Sequence, residues 1–126
     1  MGKILVIEDD DLMREMLVEM LARDGHDVSS ASNGAEGLER IEGEPFELVV
    51  TDIVMPEKEG LETIISIRRT LNIPIIAMSG GGRNLPMNYL KAAEKFGADF
   101  AFTKPIDRKV FLATVRECLS SKKAES

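Results

Sequence analysis

The sequence predicts one α/β domain, a doubly wound five-stranded parallel sheet in the order 2-1-3-4-5 with five helices on its two faces. Three observations predict it. Short β-branched, apolar runs alternate strictly with amphipathic segments from residue 3 to about residue 120. No tight-turn dipeptide joins successive apolar runs into a hairpin, so neighbouring strands need crossover helices and run parallel. A length of 126 residues suits one domain, and 44% apolar with 30% charged residues supports a packed core rather than a disordered chain.

The first strand is residues 3–7, continuously apolar from Ile4 to Ile7 and so suited to burial on both faces. Residues 12–24 follow as a helix. Leu12, Met13, Met16, Leu17, Met20 and Leu21 form its apolar stripe, a core-packing feature, and Gly25 suits its C-terminal cap. Residues 27–31 make a weaker strand, with His26 on or beside this edge. Asn33 caps a short helix through Ile41 that turns Leu38 and Ile41 inward. The third strand, residues 47–51, carries Leu48, Val49 and Val50, and Met55-Pro56 then forces a loop. A third helix runs from Leu61 to about Asn72 with Ile64, Ile65 and Ile67 at helical spacing. Residues 73–78 form the fourth strand, 79–86 a loop, 88–96 a helix closed by Gly97, and 100–103 the fifth strand. The last helix spans residues 107–120, with Val110, Phe111, Val115, Cys118 and Leu119 inward.

This flavodoxin-like order places ligands outside the carboxyl ends of the strands, at the switch point between strands 1 and 3. Those ends carry chemistry. Glu8, Asp9, Asp10 and Asp11 follow strand 1, Asp52 follows strand 3, Ser79 strand 4 and Lys104 strand 5. Asp10 and Asp11 read as caps for the helix they precede. Glu8, Asp9 and Asp52 should converge, and three close carboxylates repel unless a cation joins them. Hard oxygen donors on an open rim suit Mg²⁺. Taken singly, Asp52, Ser79 and Lys104 would be ordinary turn, loop and surface residues; their shared edge is the signal.

Ile4-Leu5-Val6-Ile7-Glu8-Asp9, Asp52-Ile53-Val54-Met55-Pro56, Ser79 after an apolar strand and Thr103-Lys104-Pro105 together resemble the receiver domain of two-component response regulators. The resemblance runs from residue 3 to about 120. It implies that Asp52 is the phosphoacceptor, and that Glu8, Asp9, Asp52 and the backbone carbonyl of Val54 hold Mg²⁺. It implies further that Ser79 hydrogen-bonds the phosphoryl group, that Lys104 pairs with it, and that the Lys104–Pro105 peptide is cis. The donor would be a phosphohistidine on a sensor histidine kinase or a histidine phosphotransfer protein. The domain would then be a switch with weak intrinsic autophosphorylation and autodephosphorylation, not a turnover enzyme.

Residues 1–121 read as the receiver domain and 122–126 as a short C-terminal tail, the organisation of a single-domain regulator. A net charge of −6 argues against nucleic acid and against anionic lipid. Apolar runs of at most four residues and no signal-peptide pattern indicate a cytoplasmic protein without a membrane span. One cysteine and one histidine exclude an internal disulfide and a zinc cluster.

Three features depart from the common receiver pattern. Ala101 stands three residues before Lys104, where an aromatic is frequent, while Phe100 and Phe102 should face the other side of the strand. Signalling to a downstream protein target, through the face built by helix 88–96, strand 100–103 and the last helix, would then run through backbone or loop movement. Ser79-Gly80-Gly81-Gly82-Arg83 is glycine-rich but is no P-loop, since no Gly-Lys-Ser/Thr follows. It reads as a mobile connection, or as a loop small enough to admit the donor histidine. Neither the Val54 side chain nor that of Gly81 can hydrogen-bond a hydrolytic water, which predicts a long-lived phosphoryl group. Two rival readings are a phosphohydrolase of the haloacid dehalogenase type and an atypical receiver acting as a phosphorylation-independent protein-interaction module. The first wants a second Asp two residues after Asp52, where Val54 stands; the second draws only on Ala101.

Overall fold

The computed structural model describes residues 2–53, 59–79, 94, 95, 97–103 and 106–125, with the side chains of residues 59–61, 79 and 121–125 outside that description. Five strands, β1 (Lys3–Ile7), β2 (Asp27–Ala31), β3 (Leu48–Asp52), β4 (Ile75–Ser79) and β5 (Phe100–Thr103), form one parallel sheet in the order β2-β1-β3-β4-β5. The predicted fold class is the observed one. Among the described residues there are four helices: α1 (Asp11–Arg23), α2 (Gly34–Gly43), α3 (Glu59–Thr70) and α4 (Arg108–Glu125). Of the helix predicted over residues 88–96, Glu94 and Lys95 are helical and the rest lies outside the described residues.

Period-2 alternation along the buried strands sorts their side chains between two cores. Leu5, Ile7, Val49, Ile75 and Ala77 pack with Ile64 and Ile67 of α3 and, at the margin, Leu38 and Ile41 of α2. Ile4, Val6, Leu48, Val50, Ile76 and Met78 pack with Leu17 and Leu21 of α1 and Phe111, Val115 and Cys118 of α4. Ala101 sits against the first core, while Phe100 and Phe102 sit against the second, as strand parity requires. Phe102 meets Phe111 edge-on, ring centres 5.8 Å apart.

The α1 stripe is narrower than expected. Met16 and Leu12 are exposed, at 46% and 79%. Leu17 and Leu21 centre the buried stripe. At about 100° per residue Met16 and Leu12 lie about 120° and 160° from that centre, whereas Val18 lies about 80° from it. Val18 takes part instead. Val110 is likewise exposed at the start of α4. The last helix also runs past the predicted residue 120 to Glu125, because no glycine or proline follows Leu119 to stop it. Ser79 ends β4 rather than opening the loop. No described helix is long and apolar enough to cross a membrane.

Two polar clusters close the amino-terminal side of the sheet. Arg68 of α3 donates to the Ile73 carbonyl at 2.7 Å, the Gly97 carbonyl at 2.6 Å and Asp99 at 2.9 Å. Asp99 also accepts from the Ile75 amide, so one guanidinium ties the starts of β4 and β5 to α3. His26 is buried; its Nδ1 accepts from the Gly2 amide, and its Nε2 lies 3.4 Å from Asp24. Asp24, the α1 C-cap residue, is gripped by Arg116 of α4, which holds its carboxyl below the usual range.

Burial pushes the His26 pKa below its ordinary 6.5, against the pull of Asp24. The unfolded chain therefore takes up the proton first as pH falls. Stability is full above 6.5 and declines below it, toward the depressed folded-state value. Urea unfolding at about pH 7.5 and about pH 5.5 should show this loss, and His26→Gln should flatten it. An equal acid loss in both proteins would contradict the assignment.

Candidate functional site

The carboxyl end of the sheet is built by register. Ile7 is level with Thr51, so the residues that follow, Glu8 and Asp52, emerge side by side from neighbouring strands. The Glu8 amide extends the ladder one step, donating to the Ala31 carbonyl at 3.0 Å. Asp52 pairs with Met78, and the Ile53 amide donates to the Met78 carbonyl at 2.8 Å.

Four acids in a row then take four positions. Glu8 is fully buried, and its carboxylate accepts from the Asp10 amide at 3.1 Å. Asp9 is exposed at the rim. Asp10 is the α1 N-cap and accepts from the amides of Leu12 and Met13, as expected of a short acid before a helix. Asp11 occupies the first turn, where the helix dipole favours negative charge, and pairs with Arg14 at 2.6 Å.

One carboxylate oxygen from each of Glu8, Asp9 and Asp52 lies within 4.8 Å of the others. Two of these groups are buried, Glu8 completely and Asp52 at 3% exposure. Packing three like charges at that spacing, two of them away from bulk water, is unfavourable, and a cation among them relieves it. Three hard oxygens with an exposed side fit a divalent ion that keeps several waters. The structure thus brings together three of the predicted site residues. The Ser79 backbone ends β4 level with Thr103 at the carboxyl edge of the sheet. The Ser79 side chain, Val54, Gly81, Lys104 and Pro105 lie outside the described residues.

Sequence reasoning missed Arg14. Its guanidinium donates to the Glu8 main-chain carbonyl at 2.9 Å as well as to Asp11. The available signal was its place one turn beyond the acids on α1.

Comparison with known proteins agrees with the geometry. A family model described as the response regulator receiver domain matches residues 4–116. The transcriptional regulatory protein AfsQ1 of Streptomyces coelicolor is 36% identical over the whole of this chain and 55% of its own length. The CpxR homolog of Haemophilus influenzae is 31% identical over 94% of this chain and 51% of its own. The response regulator receiver protein CpdR of Brucella abortus is 50% identical over 49% of this chain and 52% of its own. The chain therefore spans about half the length of the full-coverage curated relatives named here. Among solved structures, a CheY-like receiver domain protein from Methanospirillum hungatei superposes with a TM-score of 0.89 at 26% identity, covering 100% of this chain and 99% of that one. A receiver domain protein from Clostridium thermocellum gives 0.89 at 25% identity, covering 100% of both. With the family model spanning nearly the whole chain and the acids gathered at the switch-point edge of a 2-1-3-4-5 sheet, the chain belongs to the response regulator receiver domain family.

Proposed function

We propose that this receiver is a phosphorylation-dependent switch in which Asp52 accepts a phosphoryl group from a phosphohistidine on a sensor histidine kinase or histidine phosphotransfer protein. The observation that carries the reading is the convergence of Glu8, Asp9 and Asp52 at one strand edge. An oxygen of the Asp52 carboxylate attacks phosphorus, the P–N bond to the donor imidazole breaks, and its electron pair stays on the ring nitrogen. The product is an acyl phosphate on Asp52. Burial of Asp52 strips it of competing water and fixes its direction of attack. Glu8, Asp9, Asp52 and the Val54 carbonyl would hold Mg²⁺, which when bound offsets the negative charge of carboxylates and phosphoryl oxygens. Ser79 would donate to one phosphoryl oxygen and Lys104 would pair with another. The domain does not turn over a substrate; it stores one phosphoryl group and changes what it binds. The downstream target would be a protein docking on the face that includes β5 and α4.

Beryllofluoride mimics a phosphoryl group on a carboxylate and tests this directly. It should raise the melting temperature only when Mg²⁺ is present and Asp52 is intact. A melting temperature unmoved by both would favour the phosphorylation-independent interaction module. Because neither the Val54 side chain nor Gly81 can orient a hydrolytic water, the acyl phosphate should decay slowly. Val54→Asn should accelerate decay, followed by loss of the phosphate mass; an unchanged rate would refute that role.

A further inference from the structure

We propose that Arg14 is a positioning residue for the cation site, clamping the turn between β1 and α1 so that Glu8 and Asp9 are aimed at Asp52 before a cation arrives. The inference rests on the Mg²⁺ reading above.

Arg14 reaches three of the four consecutive acids. Its Nη1 donates to the Glu8 carbonyl at 2.9 Å, its Nη2 to the Asp11 carboxylate at 2.6 Å, and its amide to the Asp10 carbonyl at 2.9 Å. Among the described residues the turn is also held by the Glu8 amide on the Ala31 carbonyl and by short-range bonds of Glu8 and Asp10. Arg14 is anchored in the second turn of α1 and ties that helix back to the end of β1. The Arg14 side chain is only 21% exposed, whereas its partner Asp11 is 82% exposed. A surface ion pair with Asp11 alone would contribute little. The half-covered, charge-assisted bond to the Glu8 main chain is the part that sets geometry. Since Glu8 is fully buried, a shift of its backbone moves its carboxylate relative to Asp52, with no solvent-exposed alternative.

Charge and positioning predict opposite signs. A guanidinium near a divalent site repels the ion, so if Arg14 acted through charge alone, Arg14→Ala would tighten Mg²⁺ binding. Loss of positioning weakens it, by about 10–100-fold, the range seen when groups that orient metal ligands are removed. Arg14→Lys keeps the charge but loses the planar fork that spans Glu8 and Asp11, and should also weaken binding, by roughly 10-fold. Asp11→Ala leaves the Glu8 contact in place and should stay within a few-fold of the wild type.

The experiment is calorimetric titration of the whole chain with MgCl₂, beside melting in EDTA, for the wild type and all three variants. Weaker Mg²⁺ binding in both Arg14 variants, with Asp11→Ala near wild type, supports the proposal. Unchanged or tighter binding in a folded Arg14 variant overturns it, as does a fall in EDTA stability with Mg²⁺ affinity intact. If Arg14→Ala fails to fold, Arg14→Lys decides by the same criterion. A wild-type chain that binds no Mg²⁺ identifies failure of the metal reading itself, and the proposal falls with it.

Discussion

Asp52→Asn should abolish phosphoryl acceptance while leaving the domain folded. The amide is nearly isosteric with the carboxylate, so the buried site keeps its shape, but its carbonyl oxygen carries no full negative charge and is a poor nucleophile toward phosphorus. Glu8, also buried, and Asp9, at the rim, do not compensate; the reading assigns them to the cation rather than to the phosphoryl group. One of the three converging donors loses its charge in the same step, so Mg²⁺ affinity should fall as well. Melting in EDTA separates this from unfolding. A phosphate adduct of undiminished yield in Asp52→Asn would show that another residue is the acceptor.

Phe111→Ala should have the largest effect on stability. Phe111 is fully buried and lies in the core between the sheet, α1 and α4, edge-on to Phe102 of β5. Truncating a buried Phe removes its transfer free energy and leaves a cavity, about 3–5 kcal/mol in all. Domains of this size hold only about 5–15 kcal/mol in total. The melting temperature should drop by roughly 10–20 °C. Urea unfolding followed by circular dichroism suits a chain with no tryptophan. A loss below about 1 kcal/mol would mean that the core collapses around the gap far more readily than its packing implies.

Strands and helices differ in how plainly they announce themselves in this chain. β1 and β3 are legible because a strand buried on both faces must be apolar at every position, and Ile4–Ile7 and Leu48–Val50 are. Their register then makes the convergence of Glu8 and Asp52 almost unavoidable, which is why the acid cluster can be read without coordinates. A helix lying on a sheet buries a narrower stripe than its apolar residues suggest. Leu12, Met16 and Val110 share apolar character with their neighbours yet face out, and only packing separates Leu17 from Met16. Arg14 was illegible for another reason. An arginine beside acids on an amphipathic helix looks like a solvated charge, and its bond to the Glu8 carbonyl depends on how α1 leaves β1. His26 is buried beside Gly2, 24 residues away in sequence, and beside Asp24, which Arg116 of the last helix holds; no local pattern encodes the approach of Gly2 or Arg116.

The central claim is that Asp52 carries a phosphoryl group whose transfer needs a divalent cation. Intact mass after incubation with acetyl phosphate and Mg²⁺ tests it most directly, beside an EDTA control and Asp52→Asn. A single phosphate adduct that disappears in both controls is the expected result. An adduct that persists without Mg²⁺, or that forms on the Asp52→Asn chain, would contradict it.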